Sequence, residues 1–554
     1  MVAATVIALD CPTSASTARN SVTVGGWTLV SRVTGVLRVM VIGPVLGATY
    51  FANAFQTSYL LPHLVFTLIA GPVLAMVLVP CVVRAIGAGG NTRAREILGG
   101  VSGWLLTIAV VVSALLMILS PAVAWTLNFG IPDPAARARG VWLTTLVVLL
   151  VAPQVALYAL VHLGIAAQQV RGRFALAAAA PAVENVILIP TVIVAGWYYG
   201  SGLDVEHVPV ELVIVLGGGS TAAVTLHAAL QLAGTARVGL LTWPSMRWRH
   251  DPEVRSVTSR LVRSVGVAAW PAAAMYVLLA LAGTVRGGVF VVQLAHTIFF
   301  SLSLVSARAV SMAALPGLAH AAHSEDGATF GSQWRQSLSY ALIGSLPLLV
   351  LLGVNSGPAA NLLAAGQLRH AALIGSLTTC LAVAAVAQLV GGVHDIGRQA
   401  LFARLDDRIP RRASEVAFVV IIIAAAVGLL LPADGSRLIW LVVANLAGEL
   451  VAAGTVLTRL RRTLRPERFL EPRPLAATLL ATVAIVPFAA ALRCWTEQIN
   501  ASNRLANLAC LALGAAVALG VYILVLRVAT RRISGGPSLH THPAHPPGDL
   551  RVRP

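Results

Sequence analysis

Residues 98–127 read LGGVSGWLLTIAVVVSALLMILSPAVAWTL, thirty positions without a charged side chain. An apolar run of about 20 residues is long enough to cross the hydrocarbon core of a bilayer as a helix. Such runs recur along the chain: of its 554 residues 57% are hydrophobic and 11% are charged, and the mean hydropathy is +0.83. Soluble domains carry about 25% charged residues. The sequence therefore predicts an all-α polytopic membrane protein.

Fourteen apolar runs have membrane-spanning length and predict about fourteen transmembrane helices. They lie near 21–44, 54–84, 98–127, 141–167, 174–199, 211–236, 261–283, 288–318, 336–354, 370–397, 414–432, 436–458, 474–493 and 503–529. Pro80 and Pro316 close the second and eighth runs, and Arg173 and Arg408 follow the fourth and tenth, so both pairs are about 235 residues apart. This near-constant offset favours two six-helix lobes related by a pseudo-two-fold repeat, an arrangement common in transporters.

The repeat divides the chain into five parts. We predict a cytoplasmic N-terminal tail, an N-lobe with the first six helices, a C-lobe with the next six, an additional C-terminal helix pair and a disordered cytoplasmic tail. Their bounds are 1–20, 21–240, 241–470, 471–532 and 533–554. Within the C-lobe, residues 245–260 mix arginine with apolar residues, which is typical of a basic arm lying on anionic lipids. Topology alone explains this arm equally well.

Arginine supplies all 39 basic residues, because the chain contains no lysine. A Walker A motif and a Schiff-base mechanism both need lysine and are excluded. With fourteen spans, 29 arginines fall on the side of the two termini, 7 on the opposite side and three inside spans. The positive-inside rule then predicts cytoplasmic termini in a plasma (inner) membrane protein. This distribution reports topology and argues against nucleic-acid binding.

The arginines inside spans are the first candidates for a binding site, because charge within a bilayer is costly. Arg32 and Arg38 belong to the stretch SRVTGVLR at 31–38. Two guanidinium groups suit a diphosphate or another anion, since each donates paired hydrogen bonds to phosphate oxygens. A bend near Gly35 is needed to bring both onto one side of the helix. Otherwise Arg38 extends to the outer interface and Arg32 pairs locally.

Four further intramembrane groups leave alternatives open. Arg308 is either a second cavity cation or the structural partner of Glu184 or Glu449. Each of these glutamates is able to carry a proton or to serve as a structural carboxylate. His296 is either a neutral hydrogen-bonded side chain or a titrating one. No catalytic triad is visible and the five cysteines lack metal-ligand spacing, so we predict no catalytic centre, no metal and no cofactor.

Four sets of short motifs stand in order along the chain: SRVTGVLR at 31–38, ANAF at 52–55 with LPHL at 61–64, RF at 173–174 with APAVEN at 180–185, and FARLDDRIP at 402–410. Together they resemble the MurJ/MviN family of lipid II flippases, in the MOP exporter superfamily. The family patterns are SRxxGxxR, ADAF…LPNL, RF…APxxxN and FYxRxDxxTP. The resemblance extends over roughly residues 20–530.

The resemblance implies two lobes around a V-shaped cavity and alternating access that flips a polyprenyl-diphosphate-linked sugar outward, driven by membrane potential or ions. It implies that helices 13 and 14 cradle the lipid tail. Arg32 and Arg38 match the family's cavity arginines, and Asn53, His296 and Arg308 complete the predicted substrate-binding set. The expected partners are the lipid-linked glycan, anionic membrane lipids and cell-wall synthesis proteins, in peptidoglycan biosynthesis.

The chain also departs from the family pattern. Asn53 replaces the acidic residue of ADAF, and Phe66 and Thr67 stand where the family has two further cavity arginines. The family also has an arginine in helix 8, and its position in this chain falls near Thr297, beside His296. These departures leave the glycan open between lipid II and a related lipid-linked sugar. Two other functions remain: an ion-coupled exporter of small molecules, in which Glu184 or Glu449 carries the proton, and a non-transporting membrane scaffold.

Overall fold

The computed structural model describes residues 14–70, 73–324, 326–464, 470, 472–499 and 503–533. In this part of the chain the regular structure is helical, with no strand. The helices of the first half are α1 (Ser14–Leu46), α2 (Tyr50–Ile69), α3 (Val73–Ile118), α4 (Ser120–Asn128), α5 (Pro134–Val151), α6 (Gln154–Val170), α7 (Ala175–Tyr199) and α8 (Val210–Arg237).

The second half continues with eleven α-helices in its described residues. They are α9 (Pro252–Ala282), α10 (Gly288–Val305), α11 (Ala307–His323), α12 (Gly327–Val354), α13 (Ser356–Leu363), α14 (Ala371–Ala403), α15 (Arg408–Gly428), α16 (Gly435–Leu464), α17 (Pro472–Ala484), α18 (Val486–Gln498) and α19 (Arg504–Ile533). Single 3₁₀ turns lie at Val205–His207, Met246–Arg249 and Gly366–Arg369.

The all-helical membrane fold is confirmed, and each of the fourteen predicted spans falls on one helix or on consecutive helices. By length and hydropathy, eleven helices of the described residues are able to cross a membrane, so the count of fourteen is not confirmed. The first run contributes only the shorter apolar segment Val33–Leu46. The second run is divided between α2 and the first part of α3, and α3 is itself kinked at Gly89 and Gly90.

The chain ends differ from the predicted boundaries where they are described. Helix α1 begins at Ser14, inside the predicted N-terminal tail, and α19 ends at Ile533. Residues 1–13 and 534–554, which hold most of the two predicted tails, lie outside the described residues. The thirteenth run forms two helices, α17 and α18, because Pro487 lacks the N–H that a continuous helix needs. The division into lobes stays a prediction.

Within each half, helices pack through apolar side chains and close backbone approaches. Helix α7 packs on α1 and α8, and α6 packs on α3 and α8. Gly164 of α6 allows the close contact between α6 and α8, because a Cβ there would lie 2.8 Å from Gln231 Cβ. In the second half, α14 and α15 pack on α16 while α11 and α12 pack on α14. The buried polar groups are therefore the features that distinguish one site from another.

The two halves meet at a junction formed by Gly47, Asn53, Gly202 and Gln367, which we call the inter-lobe junction. The N–H of Ala48 donates to Gln367 Oε1 at 3.0 Å. The Asn53 amide donates to the carbonyl oxygen of residue 285 at 2.7 Å and accepts from the N–H of residue 289 at 3.2 Å. The Asn53 bonds join the first turn of α2 to the α9–α10 connection, and the Ala48 bond joins the α1–α2 connection to the turn that precedes α14.

Substitution of Gly47 is expected to weaken the inter-lobe junction. Gly47 has φ +73°, and an added Cβ would lie 2.5 Å from Gln367 Oε1 and 2.7 Å from Gly202 Cα. The left-handed backbone alone costs an L-residue about 1–2 kcal/mol, and the backbone clash adds to it. Gly47→Ala should therefore lower the thermal unfolding temperature of the purified protein. Gly87→Ala is the matched control, since a Cβ at this helical site meets nothing within 4 Å; equal melting temperatures would contradict the role of the junction.

Candidate functional site

Arg38 lies in a polar cluster formed by α1, α2 and α7. Its Nη1 donates to Tyr59 Oη at 2.9 Å and to Asn185 Oδ1 at 3.0 Å. Its guanidinium carbon lies 4.9 Å from the centre of the Tyr59 ring. The Asn185 amide in turn donates to Thr34 Oγ1 at 3.0 Å. Both hydrogen-bond partners of this half-buried cation, Tyr59 and Asn185, are neutral.

The charge on Arg38 is therefore left without a contacting carboxylate among the described residues. Its Nε is buried and has no hydrogen-bond partner in the same part of the chain. A buried donor without a partner is costly unless a ligand satisfies it. Arg32 also lies in α1, but its side chain falls outside the described residues, so its predicted position beside Arg38 stays a prediction.

Glu184 belongs to a second polar cluster in the same half. Its Oε1 lies 2.5 Å from Nδ1 of His227 on α8, and its Oε2 accepts from Tyr158 Oη on α6 at 3.3 Å. The sequence analysis considered Arg308 as a partner of this carboxylate, and the partners observed are a histidine and a tyrosine. The partner histidine carries a sequence signal, because His227 lies inside the sixth apolar run.

Arg308 pairs with Asp395 of α14, and not with Glu184 or Glu449 as the sequence suggested. Arg308 Nε donates to Asp395 Oδ2 at 3.1 Å, and Arg398 Nη2 donates to the other oxygen at 2.5 Å. Arg308 also lies 4.5 Å from the centre of the Phe300 ring. Sequence reasoning missed Asp395, although the signal was an acid within the tenth apolar run.

Glu449 and His296 lie in the C-terminal half. Glu449 Oε2 is 3.0 Å from Nδ1 of His394 on α14. His296 lies beside Phe299, with ring centres 5.7 Å apart, and both line a largely apolar cavity with Met275 and other residues of α9, α10, α14 and α16. Two predicted intramembrane acids therefore each have a histidine partner, one in each half.

Asn53 is 1% exposed, and its amide is engaged in the inter-lobe junction. It also donates to the carbonyl oxygen of Gly283 at 3.3 Å. The prediction placed Asn53 among the substrate-binding residues because of its position in the ANAF motif. In this conformation the side chain does not border open space. Its observed contacts instead connect the two halves of the chain.

The basic arm at 245–260 is docked on α3. Arg93 of α3 pairs with Asp251 at 2.7 Å and with Glu253 at 2.9 Å, and Arg247 pairs with Glu96 at 3.2 Å. Hydrogen bonding to the Arg93 guanidinium holds the pKa of Asp251 below its usual range. Asp251 also caps α9 by accepting from the N–H groups of residues 253 and 254. Several charges of the arm are thus engaged within the protein.

Comparison with known proteins places this arrangement in a family. The family model described as lipid II flippase MurJ matches residues 42–512, most of the chain. The chain belongs to the MurJ lipid II flippase family. This family consists of multi-pass membrane transporters, in agreement with the helices described above.

Curated MurJ relatives match over part of their length. A probable lipid II flippase MurJ from Vibrio cholerae is 24% identical over 44% of this chain and 45% of the relative. The protein of the same description from Rhizobium meliloti is 27% identical over 62% of each chain, and that from Rhizobium tropici is 24% identical over 73% and 74%. The chain thus spans less than half the length of the first of these relatives.

Solved structures show the same fold. A lipid II flippase MurJ in an inward closed conformation superimposes with a TM-score of 0.70 at 13% identity, covering 93% of this chain and all of that one. An inward-facing multidrug resistance MATE transporter of the MOP superfamily gives 0.58 at 15% identity, covering 79% and 95%. The MurJ fold is therefore confirmed, and the substrate has to be argued from the side chains.

Proposed function

We propose that this MurJ family member flips a polyprenyl-diphosphate-linked cell-envelope precursor, lipid II or a related lipid-linked sugar, to the outer leaflet. The observation that carries the proposal is Arg38. It is an intramembrane cation whose contacts are neutral and whose Nε has no partner in the described part of the chain. A diphosphate satisfies such a group by accepting paired, charge-assisted hydrogen bonds.

The other residues have proposed roles around Arg38. Arg32, which precedes it in α1, would add a second guanidinium to the same diphosphate. His296 and Arg308 would line the opposite wall of the substrate path. The packing of α10, which carries His296, on α1 and α2 supports the placement of His296. Alternating access requires the inter-lobe junction to open when substrate leaves.

The lipid tail needs a separate apolar surface. We propose that α17, α18 and α19 form it together with α12, on which α17 and α18 pack. Leu505, Leu513 and Val517 of α19 are strongly exposed. Exposed apolar side chains on a membrane helix suit contact with acyl or polyprenyl chains. A lateral opening beside these helices distinguishes a lipid flippase from an exporter of soluble molecules.

The proposed orientation follows from the arginine distribution. The protein would lie in the plasma membrane with both termini in the cytoplasm, because 29 arginines fall on the side of the termini and 7 on the opposite side. Anionic lipids of the cytoplasmic leaflet and cell-wall synthesis proteins are the proposed partners. The protein would act as a transporter without catalysis of its own.

A proteoliposome assay tests the proposed function. Vesicles containing the purified protein and fluorophore-labelled lipid II should equilibrate the label between leaflets faster than protein-free vesicles, as read by a membrane-impermeant quencher. Labelled phospholipid is the control substrate and should not be accelerated. Depletion of the protein from its native cells should also accumulate the same precursor on the cytoplasmic side. If folded protein accelerates neither lipid II nor the accumulated precursor, the flippase proposal is wrong.

A further inference from the structure

A buried acid–histidine pair lies directly beside the proposed substrate cation. Glu184 and Asn185 are consecutive residues of α7: Asn185 accepts a hydrogen bond from Arg38, and Glu184 contacts His227. The Glu184 and His227 side chains are 11% and 4% exposed. A buried ionisable pair within the membrane indicates a functional site when polar groups connect it to open space.

Polar groups connect this pair to an exposed side chain on one side. Tyr158 Oη donates to Glu184 Oε2 at 3.3 Å, and the His63 ring lies edge-on to the Tyr158 ring with centres 5.3 Å apart. Tyr158 is buried, whereas His63 is exposed. Titratable side chains therefore lie between open space and Glu184.

A second route leaves the pair toward the end of α8. His227 Nε2 lies 3.4 Å from Gln231 Nε2, and Gln231 Oε1 accepts from Gln168 Nε2 at 2.6 Å. Gln168 borders an open cleft of about 670 Å³. Three arginines also line this cleft: Arg171, Arg173 and Arg237. The pair thus has polar side chains leading to open space on both sides.

The charge balance around Glu184 is dominated by one permanent cation. The titratable or charged groups that face Glu184 or its immediate partners are Arg38 of α1, Tyr59 and His63 of α2, Tyr158 and His162 of α6, and His227 of α8. Of these, Arg38 keeps its charge at every physiological pH. A negative charge on Glu184 therefore offsets the field of Arg38 and repels an anion approaching it.

We propose that the Glu184–His227 pair is a proton-binding site linked to the anion site at Arg38. The inference rests on the proposed function, because it takes the anion to be the diphosphate of the substrate. With one negative charge, the pair weakens diphosphate binding; with one more proton, the pair is neutral and the repulsion ends. Linkage is reciprocal, so diphosphate binding draws a proton into the pair and its release returns the proton.

Calorimetry with farnesyl diphosphate tests the linkage on the full-length protein in nanodiscs. Titrations in buffers of different ionisation enthalpy give the number of protons taken up on binding. We expect the wild type to take up more protons on binding than Glu184→Gln does. Taking the difference between the two proteins removes the contribution of protonation of the probe itself. Relative to Glu184→Gln, wild-type affinity should also fall by about 5- to 150-fold from acidic to alkaline pH.

Further variants test whether the proton uptake belongs to the Glu184–His227 pair. His227→Gln should lower proton uptake as Glu184→Gln does, and it keeps the test valid if Glu184→Gln does not fold. Glu211→Gln, at an exposed position at the start of α8, is the control and should match the wild type. Proton uptake that is equal in the wild type and in the folded variants of the pair overturns the inference. Uptake lost in Glu449→Gln but kept in Glu184→Gln also overturns it.

The same experiment separates this inference from the proposed function. Absence of farnesyl diphosphate binding to the wild type at any pH overturns the diphosphate site and the linked proton site together. Binding that requires Arg38 but shows no uptake attributable to Glu184 and His227 overturns the proton site alone. A merely structural role for the pair, joining α7 to α8, would affect melting temperature without changing the number of protons taken up by folded protein.

Discussion

Arg38→Ala is expected to abolish transport while leaving membrane insertion intact. Removing one partner of a buried, hydrogen-bonded charge pair costs about 2–5 kcal/mol, which corresponds to roughly 30-fold or greater loss of diphosphate binding. Within the protein, the substitution removes the hydrogen bonds to Tyr59 and Asn185, two neutral groups that tolerate the absence of a donor better than a charge would. Lipid II flipping in proteoliposomes and growth of a flippase-depleted strain measure the effect.

Two variants make the Arg38 result specific. Arg38→Lys keeps the charge but loses the paired donor geometry, so it should retain only part of the activity. Arg84→Ala is the matched control, since this exposed arginine of α3 contacts the carbonyl oxygen of Pro80. Arg32→Ala should behave as Arg38→Ala does. Full complementation by both the Arg32 and Arg38 alanine variants would refute the proposed diphosphate site.

The fold could be predicted from the sequence because bilayer length and hydropathy act locally. Residues 98–127 lack charge, and they form the end of α3 and nearly the whole of α4. Helix breaks were harder to predict. The kink at Gly89 and Gly90 and the break near Pro487 depend on how neighbouring helices satisfy the freed backbone groups. These breaks explain why the number of spans differs from the number of helices.

The site could be predicted only in part, because partner choice depends on tertiary packing. The sequence identified Arg38, Glu184 and Arg308 as intramembrane charges, and the structure places each in a polar cluster. It could not identify His227 as the partner of Glu184, since the two residues are 43 positions apart and meet only when α7 packs on α8. The contacts of Asn53 could not be predicted for the same reason: its motif gives no indication that its amide binds the α9–α10 connection.

Asp395→Asn is expected to destabilise the C-terminal half strongly. The carboxylate is 9% exposed and pairs with two guanidinium groups, those of Arg308 and Arg398. Removing one member of a buried ion pair costs about 3–5 kcal/mol, and the 28% exposure of Arg308 favours the lower end of this range. The variant should therefore unfold at lower temperature and accumulate to a lower level. Thermal unfolding of the purified protein in one detergent measures the change.

A double variant separates stability from transport at this ion pair. Replacing both partners, in Arg308→Met with Asp395→Leu, removes one of the two guanidinium groups that lose their carboxylate and should recover part of the lost stability, because the cost comes largely from unpaired charge and Arg398, 23% exposed, is the one left without Asp395. Arg493→Gln, at an exposed pair with Glu497, should leave the melting temperature unchanged. If the double variant is stable but does not flip lipid II, Arg308 acts on the substrate path. If it is stable and active, Arg308 serves only to neutralise Asp395.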